Sequence, residues 1–228
     1  MHLPKLDNSS LWDKTYTILK DRIIRRDFKP NQKLSIPELA TQLGISRTPI
    51  RDALNRLEMD GLVKTVSKVG TFVNAIETED VLDIMDTRLM LELWVVETLK
   101  NLSATQLAKI AGSLEAILDK ASVALDKASL DAYLKSGHNL QFHMQFIQLG
   151  NNKKNAEIYL NIMHYHVWAT EYSLFTKEMV TTALEQHYSI VRALKHGDFE
   201  AVKTSIRLHL EDSKERLIKR LQENGGQI

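Results

Sequence analysis

The chain has 228 residues and a formal net charge of +1; 43% of its residues are hydrophobic and 26% are charged, which is ordinary for a globular protein. It contains no cysteine, which excludes disulfide bonds and thiolate metal sites and fits a reducing cytoplasm. Because no apolar run is long enough to cross a membrane and the first residues lack the apolar core of a signal peptide, we expect a cytoplasmic protein.

The first two predicted elements are helices. Residues 10–26 carry apolar side chains at helical spacing and predict an amphipathic helix. A second, short helix is expected to begin after Ser35, which can cap it. Pro37 fits its first turn, and Glu38 stands where a capping box requires an acidic side chain. Gly44 is expected to end this helix.

The stretch LGISRTPIRDALNRL, residues 43–57, predicts a third helix with two different faces. Pro49 is tolerated in its first turn, where Ser46 can act as the N-cap. The beginning of the helix is polar and basic, with Ser46, Arg47, Thr48 and Arg51. Its other face is apolar, with Ile50, Ala53, Leu54 and Leu57. The next segment, LVKTVSKVGTFVNA, residues 62–75, predicts a small β-hairpin.

Two capped helices followed by a hairpin predict a winged helix-turn-helix domain, whose second helix enters the DNA major groove with its N-terminal end. Arg47 and Arg51 could bond a guanine edge or clamp a phosphate, and Lys64 and Lys68 would lie in the wing. The first 75 residues hold 13 Lys and Arg against 8 Asp and Glu, which favours a polyanionic partner. The alternative is that both arginines are ordinary solvated surface charges.

The remainder of the chain predicts only helices, with a domain boundary near Asn74–Thr78. We therefore divide the sequence into a DNA-binding domain, residues 1–76, and an all-α domain, residues 77–228. Short polar or glycine-containing breaks separate most of the helices, which favours an antiparallel bundle. The six predicted helices span roughly 78–100, 104–125, 128–149, 152–174, 177–196 and 198–223. The predicted fold class is mainly α, a winged helix-turn-helix domain followed by this bundle.

Histidines in three of these helices could form a metal site. In HNLQFHMQF, residues 138–146, Asn139 and His143 are four residues apart and share a helix face, whereas His138 points elsewhere. His187 and His209 lie on the last two helices, so three histidines could converge in one bundle. The alternative is that each histidine is separately a hydrogen-bonded core or surface residue.

Residues 10–75 resemble the N-terminal domain of GntR-family bacterial transcription regulators. The resemblance rests on LATQLGISRTPIRDALNRLEMDGLV and on the wing residues GTFV that follow it. It implies that Arg47, Thr48 and Arg51 contact operator DNA and that Gly70 lies at the wing tip. Some members carry a further arginine about where Pro37 stands here, so that contact is absent or replaced in this chain.

Residues 80–225 resemble the FCD-type effector domain of the FadR-like branch of this family. The motifs are RLMLE at 88–92, Asn139 with FH at 142–143, the Gly150-Asn151 break, Glu185 with His187, and His209. Many members bind Zn, Ni or a similar divalent ion through an Asp and three His, and the ion and a nearby Arg hold a small carboxylate effector. The resemblance therefore implies a metal site of four residues, Asn139, His143, His187 and His209, and an effector site that includes Arg88 and Asn151.

Asn139 stands where the family has Asp, so the site has one negative charge fewer and should hold a divalent ion more weakly. The alternative is a site without metal, in which the three histidines bind an anion directly. For Arg88 the alternative is an ion pair with Glu92 on a helix surface.

The sequence thus predicts a homodimeric transcription regulator, by default a repressor, whose affinity for operator DNA responds to a small organic acid. A metal-dependent enzyme with a DNA-binding head is less favoured, because no Glu accompanies a ligand His in the HExxH manner. A constitutive dimeric DNA-binding protein without an effector is the third alternative. We expect no enzymatic activity.

Overall fold

The computed structural model describes residues 11–24, 27–75, 77–169 and 175–223, except for the side chains of residues 164–169 and 220. The backbone divides into two compact units, with the boundary between residues 76 and 77 of the chain. The first unit contains three helices and a small sheet, and the second contains helices, so the predicted fold class is confirmed.

The first unit begins with α1 (Leu11–Ile24), followed by α2 (Ile36–Leu43) and α3 (Arg47–Met59). The Oγ of Ser35 accepts a hydrogen bond from the backbone N–H of Glu38, and Gly44 ends α2 in the left-handed conformation, as their positions in the sequence predict. Ser46 occupies the N-cap position of α3 with an extended backbone but forms no capping hydrogen bond.

The sheet of the first unit has three strands, one more than the predicted hairpin. The strands β2 (Val63–Val66) and β3 (Gly70–Val73) form the hairpin, and β1 (Lys33–Leu34) pairs with the other edge of β3. The additional strand is only two residues long, too short to show the alternation by which a strand is recognised in a sequence.

Apolar side chains from α1 and α3 form the core of the first unit. Leu19 and Ile23 of α1 and Ile50 and Leu57 of α3 are each at most 2% exposed. The hydroxyl of Tyr16 on α1 donates a hydrogen bond to the carboxylate of Asp60, which lies at the end of α3. This packing fixes α3 against α1 and leaves its opposite face exposed.

The second unit contains seven described helices. They are α4 (Thr78–Leu99), α5 (Ala104–Lys127), α6 (Leu130–Lys135), α7 (His138–Gln148), α8 (Lys153–Ala169), α9 (Lys177–Lys195) and α10 (Phe199–Glu223). The last helix packs against α9 and α4, α5 packs against α9 and α7, and α7 packs against α8. Within the described residues, no helix is both long and apolar enough to cross a membrane.

The prediction of one helix over residues 128–149 is wrong. Ser136 ends α6, and Gly137 adopts the left-handed conformation with φ of 75°, so the chain changes direction before α7 begins at His138. A side chain with a Cβ rarely adopts this backbone conformation, which explains the glycine. The final residues of the predicted helices 10–26 and 152–174 lie outside the described residues.

Candidate functional site

The polar start of α3 is exposed. Ser46, Arg47, Thr48 and Arg51 are all solvent-exposed, whereas Ile50, Ala53, Leu54 and Leu57 are buried on the other side of the helix. Neither Arg47 nor Arg51 forms an ion pair with any residue that the structure describes. Both guanidinium groups are therefore available to an external anion.

A third arginine of the same helix, Arg56, has a different role. Its guanidinium lies 4.3 Å from the centre of the Tyr16 ring and 5.4 Å from that of Trp12, and its Nη1 is 3.2 Å from Asp13 Oδ1. These three contacts all reach α1. Arg56 thus connects the two helices, and its charge is already partly balanced.

The wing carries three exposed lysines, one of which the sequence analysis missed. Lys64 lies on β2 and Lys68 in the turn, where its φ of 61° is left-handed. The missed residue, Lys33, lies on β1 opposite Phe72 of β3, and Lys64 lies opposite Phe72 on the other side. Opposed residues share a sheet face, so Lys33, Phe72 and Lys64 lie side by side on one face of the wing.

Gly70 is constrained by Lys33. Its φ is 143°, which favours glycine, and a Cβ at this position would lie 2.6 Å from Cε of Lys33. The absence of a side chain therefore lets the lysine stem cross the wing beside the turn. Only the β1–β3 pairing, which the sequence did not reveal, could have indicated this contact.

In the second unit three histidines from three helices meet in the core. His143 of α7, His187 of α9 and His209 of α10 are 1%, 3% and 4% exposed, and each offers a ring nitrogen within 4.8 Å of the other two. The Nε2 atoms of His187 and His209 are 3.2 Å apart. We call this group the histidine cluster.

Burial keeps His187 neutral. Burial and, to a smaller extent, the positive charge of Arg88 lower the pKa of this side chain to about 3. The ring stacks on Phe142 with centroids 4.3 Å apart. A neutral imidazole has one nitrogen lone pair, which is what metal coordination requires.

Arg88 lies beside the cluster. Its Nη2 is 3.4 Å from His143 Nε2 and 3.3 Å from Glu92 Oε1, and its Nε is 3.3 Å from the Tyr159 hydroxyl oxygen. Tyr159 also donates to Glu92 Oε1 at 2.5 Å. The ion pair with Glu92 that the sequence analysis raised does form, but it is buried and not on a helix surface.

Two residues of the predicted sites lie outside the buried cluster. Asn139, one turn before His143 on α7, is exposed, and so is Asn151 in the connection between α7 and α8, where its φ is 49°. Glu185, part of the resemblance motif, is also exposed. The residue that reaches the cluster from this part of α9 is its neighbour Gln186, whose Oε1 is 3.0 Å from His209 Nδ1.

The chemistry of the cluster fits a divalent ion. Three imidazoles form a donor set that suits Zn, Ni, Cu or Fe, and catalytic or sensing sites of this kind complete their coordination with water or a ligand oxygen. His143, His187 and His209 are the residues that would hold such an ion, and their burial excludes competing bulk water.

Comparisons with known proteins agree with both units. Residues 11–73 match the family model of bacterial regulatory proteins of the gntR family, and residues 83–212 match that of the FCD domain. The HTH-type transcriptional regulator YdhC of Bacillus subtilis (strain 168) is 28% identical over 210 residues, 91% of each chain. The HTH-type transcriptional repressor RspR of Escherichia coli (strain K12) is 26% identical over 213 residues, 92% of this chain and 90% of RspR.

A solved structure is similar over nearly the whole chain. The transcriptional regulator GntR from Rhodococcus sp. RHA1 superposes with a TM-score of 0.70 at 22% identity, over 91% of this chain and 97% of that one. At this identity the likeness concerns the fold.

Proposed function

The chain belongs to the GntR family of bacterial regulatory proteins, carries an FCD domain and is a transcriptional regulator; from this premise we propose that it is a homodimeric, metal-dependent repressor released by a small carboxylate. The single observation that supports the sensing half is the convergence of three histidines from three helices in a buried cluster beside Arg88. The division into residues 1–76 for DNA and 77–228 for sensing and dimerisation is part of this proposal.

The first unit would bind operator DNA through the start of α3 and the wing. Arg47, Thr48 and Arg51 would contact DNA in the major groove, and Ser46 the adjacent backbone. In the wing the contacts would come from Lys64, Lys68 and the backbone at Gly70. We include Lys33 among them, since it lies on the same sheet face as Lys64 and beside Gly70. Ammonium groups on a wing are suited to phosphates, which fix position and carry no sequence information.

The ion would be held by the histidine cluster. When bound, it would supply positive charge and an open coordination position for a carboxylate oxygen. Asn139, which stands at the solvent side one turn before His143, would contribute an amide oxygen as a weak fourth ligand. A neutral donor set makes Zn or Ni more suitable than Mg or Ca, which prefer carboxylates.

Arg88 would bind the second carboxylate oxygen of the effector. Its Nε and Nη2 already face Tyr159 and Glu92. Among the described side chains, its Nη1 faces only the sulfur of Met85 at 4.0 Å, a weak acceptor. One edge of the guanidinium is therefore poorly satisfied, and a carboxylate is the group that would satisfy it. Asn151 would take part from the α7–α8 connection.

Dimerisation and repression complete the proposal. A single helix-turn-helix module reads too few base pairs for useful specificity, and dimers read two half-sites. Ligand binding in the second unit would favour one arrangement of the two DNA-binding units of the dimer and so change operator affinity. The name of RspR as a repressor supports repression as the direction.

The test combines metal analysis with operator binding. We expect about one divalent ion per chain in the purified protein, and loss of the ion and of the carboxylate response in His143→Ala. His138→Ala is the matched control, since His138 precedes the cluster on the same helix and contacts Tyr133 instead. A wild-type protein that binds no ion yet still responds to carboxylates would support the metal-free anion site, and one that responds to none would support a constitutive dimer.

A further inference from the structure

Behind the histidine cluster, a chain of polar side chains leads from α9 to α10. Gln186 lies between His209 and Asp212: its Oε1 is 3.0 Å from His209 Nδ1, and its Nε2 donates to Asp212 Oδ2. Gln186 is half-buried, and it directly precedes His187 in the sequence. One residue thus connects the last two helices at the level of the cluster.

The carboxylate at the end of this chain determines the direction of every hydrogen bond in it. An ionised carboxylate only accepts, so the amide NH2 of Gln186 must face Asp212 and the amide oxygen must face His209. The amide oxygen in turn only accepts, so Nδ1 of His209 must carry a proton. A neutral imidazole then has its lone pair on Nε2, the atom that lies 3.2 Å from His187 Nε2.

We propose that Gln186, oriented by Asp212, is a positioning residue that keeps the Nδ1–H tautomer of His209 and presents its Nε2 lone pair to the histidine cluster. The proposal rests on the proposed function in taking that cluster for a metal site. Nε2 of His209 is then the atom that faces the ion. Metal affinity also depends on Gln186, although Gln186 is not itself a ligand.

The tautomer of His187 follows from that of His209. Because His209 Nε2 accepts, the hydrogen bond between the two Nε2 atoms must be donated by His187 in the metal-free protein. One carboxylate on α10 therefore fixes the tautomers of two rings on different helices. The amide of Gln186 links the Asp212 carboxylate to His209, so the carboxylate orients the ring while its negative charge stays one residue away from it.

The test uses the tautomers of the metal-free protein, which nitrogen NMR of labelled histidine reports directly. In the wild type we expect His209 protonated at Nδ1 and His187 protonated at Nε2. In Gln186→Leu we expect a mixture of His209 tautomers and Zn²⁺ affinity about 10–100-fold lower, the usual effect of losing a residue that orients a ligand.

Two further variants separate positioning from packing. The double variant Gln186→Glu with Asp212→Asn exchanges the amide and the carboxylate. The bond between residues 186 and 212 then reverses, because the new asparagine donates to the new glutamate, but an acceptor still faces His209 Nδ1, so the variant should restore the Nδ1–H tautomer and most of the Zn²⁺ affinity. Tyr188→Phe removes a different hydrogen bond of α9, the 2.8 Å bond to Asp119 of α5, and should change neither quantity.

Wild-type His209 protonated at Nε2 would overturn the proposal without any variant. So would a Gln186→Leu protein with the wild-type tautomer and affinity. If the tautomers are as expected but the wild type binds no Zn²⁺, the proposed metal dependence fails while the positioning of His209 stands.

Discussion

Arg88 and Glu92, one turn apart on α4, form an ion pair in which each side chain is only 1% exposed. Burial raises the pKa of Glu92, although Arg88 and the Tyr159 hydroxyl each lower it. Such a pair is costly to bury, and breaking it from one side is costlier still, because the remaining charge is left in the core.

We expect Glu92→Gln to lower the free energy of unfolding by about 3–5 kcal/mol, the usual effect of removing one partner of a buried pair. Urea denaturation at neutral pH measures it. Glu157→Gln is the control, since Glu157 pairs with Lys154 at an exposed site and should change stability by less than about 1 kcal/mol. Equal effects for both variants would show that the α4 pair is not buried.

Arg51→Ala should weaken operator binding about tenfold or more at fixed salt, as expected when a specific arginine contact is lost, without changing the unfolding midpoint. Arg56→Ala should lower the unfolding midpoint and leave operator affinity nearly unchanged, because Arg56 holds α1 against α3 through Tyr16 and Asp13. Titration of labelled operator and thermal unfolding of both variants check this. The assignment of the reading face fails if Arg51→Ala binds as tightly as the wild type.

Gly70→Ala should weaken operator binding, since the left-handed φ strains alanine and the new Cβ displaces the Lys33 stem. We expect a cost of about 1 kcal/mol in stability as well. Gly112→Ala is the matched control: Gly112 lies within α5 with open space around it, and alanine there should stabilise the helix by about 1 kcal/mol. Unchanged operator affinity in Gly70→Ala would mean that the wing does not touch DNA.

Asn139→Asp should tighten Zn²⁺ binding by about tenfold or more, because a carboxylate one turn before His143 adds an attraction of at least about 1.4 kcal/mol. Isothermal titration or competition with a chelator measures the affinity. Asn155→Asp, a substitution of the same kind on α8, is the control. Unchanged affinity in Asn139→Asp would remove Asn139 from the ligand set.

His187 should make the metal-free protein less stable in acid. Its folded-state pKa of about 3 lies below the ordinary 6.5, so between these values the unfolded chain binds a proton that the folded chain does not. Stability should therefore be constant above pH 6.5 and fall below it by about 1.4 kcal/mol per pH unit from this residue. His187→Gln should remove that part of the slope, and an unchanged slope would contradict the assigned burial of the ring.

The sequence predicts the start of α3 better than the histidine cluster, for a physical reason. The polar start and apolar back of α3 are local properties of consecutive residues, so helical periodicity is sufficient to place Arg47 and Arg51. The histidine cluster joins three helices that are distant in the chain, and spacing cannot establish that they meet. Gln186 gives no signal at all, since its role depends on α10 lying beside α9.

The errors in the predicted elements have the same origin. Residues 128–149 have helical composition throughout, and only the backbone conformation at Gly137 separates α6 from α7. The strand β1 consists of two residues that become a strand by pairing with β3. The left-handed backbone at one residue decides the first case, and pairing with a neighbouring strand decides the second. Average helix and strand propensities of the residues contain neither feature.

The hydrogen bond between His187 and His209 implies that the two rings satisfy each other before any ion arrives. A structural zinc domain unfolds when its metal is removed, because its ligands have no other partners. In the proposed metal site, coordination would have to replace the bond between the two Nε2 atoms with bonds to the ion. Metal loading would then compete with an internal hydrogen bond, which suits a reversible signal.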